Sequence, residues 1–266
     1  MQEKYADVVV IGSGPSGQKA AIQAAKLGKK VIVIEQQAEP GGNCLYNGTI
    51  PSKTLREAII DLTRFNERHL FANRLLSMEE ITITDLTSRL YRVVEEEHNL
   101  LSRQFKKNGI EMIYGNARFE NPHMVIVVSN DDRISHQIKG EKFILACGSK
   151  PRNPTGVPFD DEVILDSTRL LKIKRIPKTM LVLGGGIIGS EYASFFAALG
   201  TEVTIIDKKD HILPLLDPEI GIVLQTALTD LGLKFKGLKE PVEITRDDHQ
   251  VTVKYKDGSS MKAVCL

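Results

Sequence analysis

The chain has 266 residues, a length that corresponds to about two domains. Its composition, 26% charged and 42% hydrophobic with a mean hydropathy of −0.13, is that of an ordinary folded protein and argues against disorder and membrane spanning. Thirty-five basic against 34 acidic side chains leave a net charge of +1, which gives no field for holding nucleic acid or an anionic lipid surface.

The first residues carry Glu3, Lys4 and Asp7 ahead of an apolar run of four, so they resemble neither a signal peptide nor an anchor, and a cytoplasmic location is expected. Cys44, Cys147 and Cys265 are too few and too scattered for a disulfide scaffold, and their odd number points to a reducing compartment. No metal site is expected. Glycine is the unusual item: several of the 21 crowd into two short stretches.

Val8–Ile11 is β-branched throughout, as in a parallel strand buried on both faces. Pro15–Leu27 is rich in alanine and reads as a helix that Gly28 ends, and Val31–Ile34 is a second β-branched run. Together they make a βαβ unit. Helical periodicity follows over Lys53–Leu76 and Asp85–Lys107, stopped by Asn108-Gly109. Ile110–Ile138 alternates apolar runs with the turn signals Glu120-Asn121-Pro122 and Asn130-Asp131-Asp132, which predicts a small β-meander. Phe143–Ala146 reads as one more buried strand, and Pro151–Pro158 as a domain boundary separating 1–150 from 151–266.

A second βαβ unit comes next. Met180–Leu183 is its strand, Gly184–Gly189 its loop, Glu191–Leu199 its helix and Val203–Ile206 its second strand. The copies lie 172 residues apart, and in each the acid that ends the second strand, Glu35 or Asp207, stands 23 positions after the first glycine. A helix over Pro218–Leu231 and strands over Val242–Thr245 and Val251–Tyr255, turned by Asp257-Gly258, complete the pattern. Ala263–Leu266 begins another apolar run. The expected fold is α/β, with two Rossmann-like domains, each a parallel sheet with flanking helices and a small meander.

The first loop is Gly12-Ser13-Gly14-Pro15-Ser16-Gly17. In a G-x-G-x-x-G the first glycine makes the turn, the second lets a pyrophosphate approach the backbone, and the third lets helix and strand pack closely. The phosphates then meet the unpaired N–H groups and positive dipole end of the helix. Glu35, with Gln36 beside it, is placed to accept from ribose hydroxyls. The second loop holds Gly184, Gly186 and Gly189, followed by Asp207. Asp207 suits an unphosphorylated ribose. Lys208 and Lys209 either pair with a 2′-phosphate or form a solvated surface pair. Two such units suit a fixed flavin and an exchangeable nicotinamide.

Gly41-Gly42-Asn43-Cys44-Leu45-Tyr46-Asn47-Gly48-Thr49-Ile50-Pro51-Ser52-Lys53 resembles the active-site segment of the flavoprotein pyridine nucleotide-disulfide oxidoreductases, in which GGxCxxxGCxPxK carries the redox dithiol. Both glycine loops resemble that family too, as do Phe143–Ser149, with Gly148, and Gly115-Asn116-Ala117. The resemblance covers essentially the whole chain and implies FAD, NAD and NADP as cofactors. It departs at Thr49, where the family's second cysteine is expected. A threonine hydroxyl can neither attack a disulfide nor resolve a mixed one, which disfavours disulfide reduction. Cys44 remains a lone thiol, either redox-active or a small packed residue.

With threonine in that place, the segment is similar to the transhydrogenase branch of the family, which implies hydride exchange between NADPH and NAD through FAD. A diaphorase-like NAD(P)H oxidase or quinone reductase, and a nucleotide-binding module without catalysis, are the alternatives. Lys53 matches the family lysine near the flavin, and Glu191 the acid that pairs with it, unless Glu191 is simply a first-turn acid favoured by the helix dipole. The resemblance further implies a return to the flavin domain and a C-terminal dimerisation domain beyond Leu266. The expectation is therefore a truncated chain whose intact form is a homo-oligomer.

Overall fold

The computed structural model describes residues 2–68, 82–129, 133–247 and 250–266. The end of the expected helix over Lys53–Leu76 and the turn Asn130-Asp131-Asp132 lie outside the described residues. The chain divides into two compact units, Met1–Pro51 with Leu90–Lys150, and Ser52–Arg89 with Pro151–Leu266.

The first unit is built on β1 (Gln2–Ile11), α1 (Pro15–Lys26) and β2 (Val31–Glu35). The short helix α2 (Gly42–Tyr46) comes next, then α3 (Thr49–Arg68) and α4 (Ile83–Lys107), whose turns divide between the units. β3 (Glu111–Tyr114), β4 (Asn116–Asn121), β5 (Met124–Val128) and β6 (Ile134–Leu145) complete a six-stranded sheet of order β3-β2-β1-β6-β5-β4. Successive β1 side chains serve opposite faces. Val10 packs with Ala21, Leu101 and Phe105 under the helices, and Val9 packs with Val125, Val127 and Ile138 of the meander. Both faces of the run are buried, which is why it is β-branched without polar alternation.

Two boundaries differ from the sequence reading. Ile110–Ile138 is not one meander: β3 pairs parallel to β2, Ile32 opposite Glu111, so only β4, β5 and β6 turn back antiparallel. Gly115, between β3 and β4, lets the chain leave one edge of the sheet for the other. Nor is Phe143–Ala146 a separate buried strand. It is the end of β6, a 12-residue strand whose early half pairs with β5 and whose residues from His136 to Leu145 pair parallel with β1 from Gln2 to Ile11. That partner also explains why β1 starts at Gln2, six residues before the apolar run. Leu145 is exposed, at 66%.

The second unit repeats the pattern with β7 (Thr179–Leu183), α5 (Ile187–Ala198) and β8 (Glu202–Ile206), then α6 (Pro218–Asp230) and β9 (Lys234–Lys236) in a parallel sheet β7-β8-β9. β10 (Pro241–Arg246), β11 (Val251–Tyr255) and β12 (Ser260–Ala263) form an antiparallel meander. The closing apolar run returns to the parallel sheet, with Cys265 bridged to Met180 and its carbonyl accepting from Leu181 N at 2.9 Å. Met180, Ala193, Phe196, Val203 and Ile205 form the core under α5. Leu181, Ile206, Val251 and Val253 form that under the meander.

One division between the units falls between Lys150 and Pro151. Ser52–Arg89, expected within 1–150, groups instead with the second unit. The reason is apolar: Leu55, Ile59 and Leu86 are buried against Leu171, Tyr192, Phe195 and Leu199.

Candidate dinucleotide sites

In the first unit the loop leaves β1 at Gly12, whose N–H donates to Ile34 O at 2.8 Å. A Cβ on Gly17 would overlap the carbonyl of Gly12, so α1 can lie this close to β1 only with glycine there. Gly14 is the N-cap of α1, Pro15 opens the helix, and no acid occupies the first turn. The nearest atom to a Cβ on Gly14 is Cα of Gly42, at 4.0 Å. Backbone alone therefore faces the positive end of the helix, and the cradle fits a diphosphate.

Glu35 is 5% exposed and braces this loop. Its Oε2 accepts from Ser13 N at 2.9 Å and Ser13 Oγ at 2.5 Å, and its Oε1 from Gln37 N at 2.9 Å. Ser13 Oγ in turn accepts from Gly41 N at 3.1 Å, and Gln18 Nε2 donates to Ser13 O at 2.9 Å. Gln36 is exposed. Ser13 was only an "x" between two glycines in the sequence, and its role as the link between acid and loop depends on long-range pairing.

The second unit reproduces this geometry. Gly184 N donates to Ile206 O at 2.8 Å, a Cβ on Gly189 would overlap Gly184 O, and Gly186 caps α5 with nothing within 4 Å of a Cβ placed on it. The helix thus begins at Ile187, four residues before the expected Glu191. Asp207 Oδ2 accepts from Gly185 N at 2.6 Å and Oδ1 from Lys209 N at 2.8 Å. Lys208 and Lys209 are both exposed, and Lys208 Nζ pairs with Glu240 Oε1 at 3.0 Å.

Between the loops in sequence, Gly41 and Gly42 lead into α2, which carries Cys44, half-buried and free. Asn43 Nδ2 donates to Ser149 O, tying this turn to the end of β6 beside Gly148. Tyr46 donates to Pro40 O at 3.1 Å, and burial first, then the Glu39 carboxylate, raises its phenol well above the usual range. Thr49 begins α3 and is exposed. Gly115 N donates to Glu35 O at 2.8 Å, and Ala117 packs on the core beneath the meander.

Cys147 is exposed just after β6, its Sγ 3.9 Å from Ile11 O, rather than within a strand. Cys265 is buried, and desolvation raises its thiol pKa to about 12.

Glu191 does not form the expected ion pair with Lys53. Its Oε1 accepts from Ser52 Oγ at 3.4 Å. One residue along a helix turns a side chain by about 100°, so the buried Ser52 faces Glu191 while Lys53 is exposed and makes no ion pair among the described residues. Among the described residues no cluster of three or more His, Cys, Asp or Glu could hold a metal, and no helix is long and apolar enough to cross a membrane.

Comparison with known proteins agrees with the two loops. Residues 6–266 match the model of the pyridine nucleotide-disulphide oxidoreductase family. A soluble pyridine nucleotide transhydrogenase of Mycobacterium bovis is 45% identical over 230 residues, 86% of this chain and 49% of the relative. One from Colwellia psychrerythraea is 35% identical over 260 residues, 98% of this chain and 55% of the relative. The chain thus spans about half the length of the curated relatives it matches. The HOCl-induced flavoprotein disulfide reductase RclA of Escherichia coli superposes with a TM-score of 0.82 at 30% identity, covering 98% of this chain and 55% of that one. LpdA of Mycobacterium tuberculosis shares the fold, with a TM-score of 0.86 at 23% identity over 100% of this chain and 57% of that one. The chain belongs to the pyridine nucleotide-disulphide oxidoreductase family, flavoproteins that combine FAD with a nicotinamide dinucleotide.

Proposed function

We propose that the chain is part of an oxidoreductase that exchanges hydride between NADPH and NAD, with FAD on residues 1–150 and the nicotinamide dinucleotides on residues 151–266. The observation that carries this reading is the segment from Gly41 to Lys53, where a single thiol, Cys44, stands with a hydroxyl, Thr49, in place of a second thiol. One thiol cannot complete a disulfide exchange, which leaves as acceptor another nicotinamide or a small oxidant such as a quinone or oxygen. The relatives named transhydrogenases support the same reading.

When bound, FAD supplies the capacity to accept a hydride from one nicotinamide and return it to another. The chain's own residues bind and orient. Gly12, Gly14 and Gly17 hold the first diphosphate at α1, and Gly184, Gly186 and Gly189 the second at α5. Glu35 and Asp207 keep each loop in its phosphate-binding shape and present the remaining carboxylate lone pairs to a ribose. Gly41, Gly42, Gly115, Ala117 and Gly148 line the first site without bulk. Lys53 is the cation for the flavin edge, and Glu191 is a positioning residue that acts on this end of α3 through Ser52. Cys44 and Thr49 pack beside the flavin without taking part in thiol chemistry. A homo-oligomer and a cytoplasmic location belong to the same reading.

Hydride exchange itself is the test. With FAD supplied, NADPH should reduce the thionicotinamide analogue of NAD, while lipoamide and oxidised glutathione stay oxidised. Disulfide turnover without analogue reduction overturns the assignment.

A further inference from the structure

The segment that follows β9 is stitched to the loop after the second acid. Leu238 N donates to Lys209 O at 3.0 Å, and Lys239 N donates to Asp207 O at 2.9 Å. A Cβ on Gly237 would lie within 2.6 Å of Lys209 O, so the two strands of chain run too close to admit a side chain there. This stitching fixes Glu240 next to Lys208. Glu240 Oε1 lies 3.0 Å from Lys208 Nζ, and its Oε2 lies 3.4 Å from Lys256 Nζ.

The surroundings are basic. Lys208, Lys209 and Lys236 are exposed around Asp207, while Lys239 is taken by Asp257 and Ser259. Lysine charge keeps the Glu240 carboxyl below its ordinary range, with Lys208 the larger influence and Lys256 the smaller. In a Rossmann unit the acid ending the second strand meets the adenosine ribose, and a cation next to it meets a 2′-phosphate. Lys208 is the residue next to that acid, and its ammonium is already engaged.

We propose that Glu240 is a specificity-determining residue: by holding Lys208 in an ion pair, it weakens the second site for a 2′-phosphorylated nucleotide and leaves binding of the unphosphorylated one unchanged. The inference rests on the reading of this loop as a nicotinamide dinucleotide site. A 2′-phosphate must displace one carboxylate from Lys208 and approach another, whereas a 2′-hydroxyl needs only Asp207. A site that serves both nucleotides thereby avoids being trapped by the doubly charged one.

The test is calorimetric titration of the chain with NADP and with NAD, for the parent, Glu240→Gln, Lys208→Gln and the double variant. Glu240→Gln should tighten NADP by about threefold, as expected for releasing one exposed ion pair, and leave NAD unchanged. The gain should shrink with added salt and vanish in the Lys208→Gln background. An equal change for both nucleotides, no change for NADP, or a gain that survives Lys208→Gln overturns the role of Glu240 while leaving the nucleotide site standing. Failure of both nucleotides to bind the parent overturns the site and this inference together.

Discussion

The two glycine loops are the same device placed in different surroundings. In each, the first glycine donates to the second strand at 2.8 Å and the third has no room for a Cβ. The strand-end acid accepts the N–H between the first two glycines and the N–H two residues beyond itself. They differ in enclosure. Around the first loop, Ser13 Oγ links Glu35 to Gly41, and Gly42 lies against Gly14. The second loop has glycine in place of Ser13, is covered instead by Ile212 and by Leu213, whose N–H donates to Gly185 O at 2.8 Å, and has exposed lysines beyond its half-buried acid. The acid is therefore part of the loop in both units, and the loops differ in what packs against them rather than in their fingerprint.

The comparison can be broken most forcefully at the third glycines. Gly17→Val and Gly189→Val should each cost about 3 kcal/mol or more in denaturant unfolding, because the side chain meets a backbone carbonyl that cannot move aside. Tolerance of one and not the other would show that the helix–strand approach is not equally tight in the two units. A smaller effect should come from the acids. Glu35→Ala leaves Ser13 N–H and hydroxyl unpaired in a buried place and should cost about 2–3 kcal/mol, more than Asp207→Ala, which leaves one buried donor, Gly185 N–H, while the exposed Lys209 N–H turns to water. Equal losses would remove enclosure as the distinction.

The smallest effect at neutral pH concerns the two cysteines beside the loop-bearing strands, Cys147 near Ile11 and Cys265 against Met180. Cys265 is 2% exposed, and burial raises its pKa from 9.0 to about 12. The folded state thus keeps a proton that the unfolded state releases. The stability this contributes is complete below pH about 9 and is lost as pH rises toward about 12. Tyr192 and Tyr255, also raised by burial to about 12, add to the loss from about pH 10. Cys265→Ala should flatten the start of that alkaline decline, measured as unfolding free energy against pH. Cys147→Ala should leave it unchanged.

The elements that the sequence placed well are those set by local chemistry. Val8–Ile11 and Val31–Ile34 could be read because a strand buried on both faces has no polar alternation, and α1 because glycine and alanine mark its start and body; α5 could be read in its body, though it begins four residues before the expected Glu191. The misreadings share a different cause. β9, Lys-Phe-Lys, has no apolar run and is a strand because Thr204–Ile206 lies beside it. β3 could not be told from the meander, since parallel and antiparallel partners leave the same local pattern. Glu191 and Lys53 have the spacing of a pair, yet the helix turns Ser52, not Lys53, toward Glu191.

By itself the sequence determined that there are two glycine loops at matched spacing and one thiol instead of two between Gly41 and Lys53, because these depend on residue identity and on distance along the chain. The tertiary structure decided which groups those residues touch: Glu35 on Ser13, Asp207 on Gly185, Glu240 on Lys208. Each of these contacts joins residues at least 22 positions apart. Short-range propensity and periodicity carry no record of such pairings, which exist only once the strands are in register.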